Sequence, residues 1–322
     1  MTVRKPDPEL CLVIPCFNEA EVLPDLLASI RALDLGLRLR VLFVDDGSHD
    51  QTFALLAKAC AKDKRLACLS FSRNFGHQVA VSAGLQYAYG DLVAVLDADL
   101  QDPPELLPDF IAKWHDGFDV VYGIRTNRKE SWFLRIAYKI FYQLLNRITH
   151  IDIPRDSGDF ALMDRRVVSV INQMPEHNRF VRGLRGWAGF RQVGIKYARP
   201  ARQAGKTSYN MRRLTRLALD GLLSFSSIPL RFSGWIGAAA ALLGFCYLAY
   251  ALIINLSGQS LPEGWTSTVV LVLFLGGVQL MVLGVIGEYI SRIFDEVKGR
   301  PHYVVREGTG WLKDVETTTP SP

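Results

Sequence analysis

The chain has 322 residues, of which 49% are hydrophobic, and a net charge of +5. It is too apolar for a disordered protein and long enough for one sizeable domain with an appendage, and so mild a basic excess gives no reason to expect a nucleic-acid partner. Cys11, Cys16, Cys60, Cys68 and Cys246 form no C-x-x-C pair and no Cys/His ligand set, which excludes a disulfide framework and structural zinc and indicates a reducing compartment.

The N-terminal nine residues are polar, carry two prolines and lack the apolar core of a signal peptide. From there to about residue 200, apolar runs alternate with helical patterns. The runs 10–14, 41–44, 66–71 and 92–96 each stop at a polar or turn-forming residue and are each followed by a helical stretch, a spacing that predicts βαβ units in an α/β fold with a mostly parallel sheet. Ligands of such a sheet bind beyond the carboxyl ends of its strands. Those ends read Pro15-Cys16-Phe17-Asn18-Glu19, Asp45-Asp46-Gly47-Ser48 and Asp97-Ala98-Asp99-Leu100-Gln101-Asp102. In an extended segment Asp97 and Asp99 point the same way, so both carboxylates address one Mg²⁺, or a ribose and a metal together, and Gln101 adds a further oxygen. The first strand is not followed by G-x-G-x-x-G, and acidic loops repel a diphosphate unless a cation bridges them. A metal-bridged diphosphate is therefore favoured over a dinucleotide. The segment 128–149 places aromatic and aliphatic residues near helical spacing among basic ones and is expected to be mostly core.

Residues 210–227 form a pattern suited to a helix lying on an anionic membrane surface, with Arg212, Arg213 and Arg216 off the apolar stripe. Beyond them, Glu263 is the only charged residue between Arg231 and Glu288. It falls in a polar interruption that leaves two runs, 234–256 and 268–290, each long enough for a hydrocarbon core of about 30 Å at roughly 1.5 Å per residue. Basic residues flank the pair on its outer sides and the connecting loop has no Lys or Arg, which places both ends in the cytoplasm.

The series IPCFNE, VDDGS, NFGHQ, DADLQDPPE, DSGDFAL and RFVRG, followed by two apolar spans, resembles the bacterial polyprenyl-phosphate glycosyltransferases. These are inverting family-2 enzymes of GT-A fold, related to dolichol-phosphate mannose synthase, and the run 152–183 looks closest to their glucosyl-transferring branch. The resemblance implies a cytoplasmic GT-A domain over 1–209, a juxtamembrane helix over 210–231, a transmembrane hairpin over 232–291 and a cytoplasmic tail over 292–322. It also implies a nucleotide-sugar donor, with UDP-glucose preferred, a polyprenyl phosphate acceptor, Mg²⁺ or Mn²⁺, a membrane and further copies of the chain as partners. Carried over, Pro15, Phe17, Glu19, Val44 and Asp46 would hold the base and ribose. Asp97 and Ala98 would touch the nucleoside, Asp99 and Gln101 the metal, and Arg125 the donor's charged side.

In the loop 202–208, Arg202 and Gly205 match the family's R-x-x-G-x-(S/T)-K, but Ser208 stands where its Lys is expected, and Lys206 is the substitute phosphate partner beside Arg202. Asp156 and Asp159 are both candidates for a base, with Asp156 preferred, although a phosphate monoester with a second pKa of about 6 hardly needs one. His77 and the other histidines read as structural. Because the donor motifs all precede residue 210, the chain up to about Ser227 is expected to fold without the rest. Two other functions compete. A processive polysaccharide synthase would carry a QxxRW motif and more spans, and a non-enzymatic membrane module would have no use for the acidic constellation.

Overall fold

A computed structural model describes residues 4–125, 157–177, 179–198, 228–257 and 264–313. They belong to two compact units, one made of residues 1–208 with 300–322 and the other of residues 209–299.

The first unit is built on one sheet of eight strands in the order β7-β5-β6-β4-β1-β2-β3-β8. Strands β1 (Leu10–Cys16), β2 (Leu39–Asp45), β3 (Leu66–Phe71) and β4 (Leu92–Val95) pair in parallel, with α1 (Leu23–Ala32), α2 (Thr52–Lys62) and α3 (His77–Tyr87) as their crossovers. The predicted runs are thus found as strands, all nearly fully buried, as continuous apolar runs in a sheet covered on both faces should be. The sheet as a whole is mixed. After α4 (Leu107–His115) and β5 (Val120–Arg125), β6 (Ser157–Asp164) inserts antiparallel between β4 and β5, and β7 (Gln192–Tyr197) then extends β5 in parallel.

Period-2 alternation divides the core between the two faces. Leu10, Leu12 and Ile14 of β1 join α1, α2 and α4 on one side. Cys11 and Val13 join α3, α5 (Arg165–Gln173) and α6 (Val181–Trp187) on the other. On that second side α3 lies so close to the sheet that a β-carbon at Gly84 would sit 2.1 Å from Val13 Cγ1. This close seat fixes the N-terminal end of α3 beside the carboxyl ends of β1 and β4.

The region expected as a tail contains a strand. β8 (Val305–Gly310) runs antiparallel along β3, Tyr303 stacks on Phe71 with ring centroids 4.9 Å apart, and Tyr303, Val305 and Leu312 are buried in the second core. Arg306 donates to Ser70 Oγ at 2.9 Å, and Ser70 donates to Asp45 at 2.7 Å. The sheet of the first unit is thus completed by residues that follow the apolar helices.

The second unit holds α7 (Ile228–Leu256) and α8 (Trp265–Val297), which pack against each other. Among the described residues one segment, Val270–Val297, is long and apolar enough to cross a membrane, and Ser233–Tyr247 of α7 is a shorter apolar stretch. Large apolar side chains such as Leu243, Phe245, Val272 and Leu280 are exposed along both helices. The expected amphipathic helix over 210–227, the segment 128–149 and the loop 258–263 lie outside the described residues, as do Asp156, Arg202 and Lys206.

Candidate active site

The carboxyl ends of β1, β2 and β4 and the turn leading into α3 surround a cavity of about 320 Å³. Its walls are Pro15, Cys16, Phe17, Glu19, Asp46, Asn74, Gly76, His77, Asp97, Ala98 and Asp99. Seven residues singled out from the sequence, Pro15, Phe17, Glu19, Asp46, Asp97, Ala98 and Asp99, are thereby brought to one place. Phe17 keeps 40% of its surface exposed, an unusual state for a phenylalanine and one suited to stacking on a flat ligand.

The β2 end is built to hold the β3–α3 turn. Both Asp46 oxygens accept backbone N–H groups, from Phe75 at 2.7 Å and Gly76 at 3.0 Å. Burial raises the Asp46 carboxyl above its usual range against the lowering by these two bonds. Gly47 adopts φ +67°, and a β-carbon there would fall 2.3 Å from the Arg73 carbonyl carbon, so only glycine lets the two loops meet.

The β4 end departs from the expected geometry. β4 stops at Val95, and the chain enters a turn at Ala98 and Asp99. Leu100 then takes φ 55°, which breaks the alternation on which a third oxygen from Gln101 depended. Gln101 is buried and absent from the cavity wall, its backbone N–H donating to Asp99 Oδ1 at 3.2 Å. Val44 faces α3 within the second core, and Asp46, one step beyond the strand, lines the cavity.

Arg125 also stands outside the wall. Its Nη2 donates to Asp102 at 3.1 Å and its Nε to the Tyr197 hydroxyl at 3.2 Å, and it lies 3.8 Å from Asp97 Oδ2. Tyr197 donates in turn to Asp102. Burial works against the Arg125 charge, but Asp102 and Tyr197 outweigh it and raise its pKa. Arg125 therefore backs Asp97 from within the fold. Asp97 itself has its carboxyl pushed up to about 6 by burial, with His77 opposing and Asp159, Asp102 and Asp99 adding, and its Oδ1 has no hydrogen-bond partner.

Asp159 of β6 is held by three residues. Arg182 donates through Nε at 2.7 Å and Nη2 at 3.0 Å, and Gln78 and His77 each donate at 3.2 Å, with the ring hydrogen of His77 on Nε2 as the carboxylate requires. Burial would raise the Asp159 carboxyl, yet Arg182 and His77 hold it well below the usual carboxylate range. A carboxylate so occupied is a poor proton acceptor. His77, read from the sequence as structural, in fact lines the cavity, with Nε2 3.7 Å from Asp97 Oδ1. Burial lowers its pKa, but Asp159 and Asp97 prevail and raise it.

The chain matches the model of glycosyl transferase family 2 over residues 11–171, which span the cavity walls, and that of the GtrB C-terminal hairpin over 228–293. The uncharacterized glycosyltransferase YkcC of Bacillus subtilis is 42% identical over 302 residues, 93% of this chain and 94% of that one. The chain belongs to glycosyl transferase family 2. It is a glycosyltransferase, and the Rossmann-like α/β sheet with its cavity at the carboxyl ends of the parallel strands is the GT-A arrangement expected of the family. The SfII prophage-derived bactoprenol glucosyl transferase of Shigella flexneri is 40% identical over 93% of this chain and 98% of that one. The Escherichia coli prophage bactoprenol glucosyl transferase homolog is 38% identical over 92% and 98%. Among solved structures, the mannosyltransferase PcManGT from Pyrobaculum calidifontis in complex with GDP-Man and Mn²⁺ is similar at 18% identity and a TM-score of 0.48, over 90% of this chain and 88% of that chain.

Proposed function

We propose that this glycosyltransferase moves glucose from a nucleotide-diphospho-sugar, UDP-glucose, to a polyprenyl phosphate of the bactoprenol type at the cytoplasmic face of a membrane. The observation that carries the reading is near-full-length identity of about two residues in five to enzymes named bactoprenol glucosyl transferases, hairpin included. Both apolar runs, 234–256 and 268–290, cross the bilayer in this reading. The catalytic unit and both termini then face the cytoplasm, as the distribution of Lys and Arg requires.

The base stacks at Phe17 beside Pro15. Each Asp46 oxygen, although it already accepts one backbone N–H, keeps a second lone pair for a base N–H. A divalent cation fits the Asp97–Asp99 turn. The described residues contain no group of three or more His, Cys, Asp or Glu able to enclose a metal, but Mg²⁺ is commonly held by one or two carboxylates together with substrate phosphates. Asp99 on the wall and the unpartnered Asp97 Oδ1 supply that donor set. When bound, the ion would offset charge on the departing diphosphate.

The acceptor phosphate oxygen attacks the anomeric carbon as the bond to the nucleoside diphosphate breaks, the diphosphate leaving with the electron pair. One displacement inverts the centre, so an α-linked donor gives a β-linked product. Asp156 orients the acceptor, whose phosphate is met by Arg202 and Lys206.

The test is to incubate the purified full-length protein with undecaprenyl phosphate and a panel of UDP- and GDP-sugars, and to identify the lipid product by mass and anomeric configuration. A β-glucosyl phosphate lipid formed from UDP-glucose is expected. A lengthening glycan, an α-linked product, or nucleotide binding without a lipid product would overturn the proposal.

A further inference from the structure

Phe17 and Asp46 line the cavity from two different loops, one following β1 and the other β2. A chain of hydrogen bonds ties these loops together. Asp45 Oδ1 accepts from the Ser48 backbone N–H at 3.1 Å, Ser48 Oγ accepts from the Asn18 N–H at 3.0 Å, and Asn18 Oδ1 accepts from the His49 N–H at 2.9 Å. Asn18, next to Phe17, holds φ 55°, a left-handed conformation that its surroundings must maintain. Asp45 is fully buried, so the whole arrangement depends on how its carboxylate is held.

The other Asp45 oxygen leads to the far end of the sequence. Ser70 Oγ donates to it at 2.7 Å and accepts from Arg306 Nη2 at 2.9 Å. A guanidinium can only donate, so Arg306 fixes the sense of the relay and leaves the single Ser70 hydrogen for Asp45. A β-bulge places it there. β3 and β8 pair Ser70 with Glu307 and Phe71 with Val305, so the register skips Arg306, and bulges of this kind re-aim a side chain. The guanidinium also lies over the Phe53 ring of α2, 5.2 Å from its centroid, and its Nε faces Glu307 at 3.4 Å. The same segment reaches Asp46 by a second route. Tyr303 stacks on Phe71, Phe71 meets Phe75 edge-on at 5.7 Å, and the Phe75 N–H is the donor to Asp46 at 2.7 Å. Residues 303–306 thus back both carboxylates of the β2 end.

We propose that Arg306 is a positioning residue for recognition of the nucleotide base: acting through Ser70 and Asp45, it holds the loop that aims Asp46 at the base N–H and so contributes to a preference for uracil over cytosine. The assignment rests on the UDP-donor reading above and adds to it a residue remote in sequence. Uracil offers an N3–H to a carboxylate, whereas cytosine has a bare acceptor at that position, and a site built around such a bond rejects the base that lacks it. Uridine and cytidine nucleotides therefore report separately on the aim of Asp46 and on stacking at Phe17.

The experiment measures affinities of the full-length protein in detergent, with Mg²⁺ present, for UDP and for CDP, and records Tm for each variant. Wild-type protein is expected to prefer UDP. The Arg306 side chain is 44% exposed, so its replacement leaves the core intact. Arg306→Ala should weaken UDP about fivefold, within the range of one hydrogen bond, and CDP less than about twofold. Arg306→Lys keeps a cationic donor near Ser70 and should recover most of the loss. Ser70→Ala should reproduce the selective loss, and adding Arg306→Ala to it should cost little more, as residues acting in one chain do. Equal weakening of UDP and CDP in Arg306→Ala would mark the residue as merely structural and overturn the proposal, as would unchanged UDP affinity or full additivity with Ser70→Ala. Wild-type protein that binds CDP as well as UDP overturns the uracil reading and this one with it, an outcome seen before any variant is made, so the two failures are distinct.

Discussion

Asp159→Asn separates an anchoring carboxylate from a catalytic one. The Asp159 side chain is 6% exposed and that of its partner Arg182 27%. Removing one member of a fully buried pair costs about 3–5 kcal/mol. The partial exposure of Arg182, and the amide oxygen that Asn retains as an acceptor, place this substitution near about 2 kcal/mol. For a domain of this size that corresponds to a fall of roughly 4–8 °C in Tm. The shift is to be read by thermal unfolding of the full-length protein in detergent, with turnover measured well below the transition. Because the folded carboxyl lies below its ordinary value, the stabilisation is complete above the unfolded pKa of about 4 and is lost only as pH falls through the folded value. The gap between wild type and variant should therefore be widest near pH 5, shrink somewhat as pH rises through the His77 pKa that Asp159 raises, and narrow again in strong acid. Unchanged Tm with turnover abolished would refute the reasoning and make Asp159 the base.

Asp99→Ala should abolish turnover, and chelation should do the same reversibly in the wild type; full activity in excess EDTA removes the metal from the scheme. Gly47→Ala must place a β-carbon against the Arg73 backbone, so donor affinity should fall at least tenfold even where the variant folds, as read by nucleotide titration. An unchanged affinity would show that the two loops can separate without harm. Truncation after Gly299 removes β8 together with Tyr303, Val305 and Leu312, and the shortened protein should unfold at markedly lower temperature or fail to accumulate. An undiminished Tm would return residues 300–322 to the status of a tail.

Much of the catalytic sheet was legible because its parallel strands are buried on both faces and so appear as bare apolar runs that stop at their ligand-bearing ends. Asp46, Asp97 and Asp99 could be found in this way, since each follows such a run. Gln101 lies off the cavity wall because strand geometry ends at Val95 and a left-handed Leu100 turns the chain. Val44 shares the phase of Asp46 but lies two residues earlier, where α3 covers the strand. His77 escaped notice because its partner Asp159 lies 82 positions away and Arg182 lies farther still, and nothing local distinguishes a lone histidine at a helix start. The NFGHQ motif between β3 and α3 was the available signal, being the one strand-end segment quoted without a role. β6 and β8 pair antiparallel with strands remote in sequence, a relation that periodicity does not encode.

The late arrival of β8 has a bearing on biosynthesis. The ribosome makes β1 through β7 first, then both apolar helices, and only afterwards the strand that covers β3. Until then the nascent domain carries an open sheet edge, the feature that invites pairing with other chains. Closure of that edge can therefore follow only once the two apolar helices have been made, so a chain arrested within them would be left with an unfinished catalytic domain, recognisable to proteases by its bare β3. The order of synthesis itself thereby links completion of the enzyme to completion of its apolar helices.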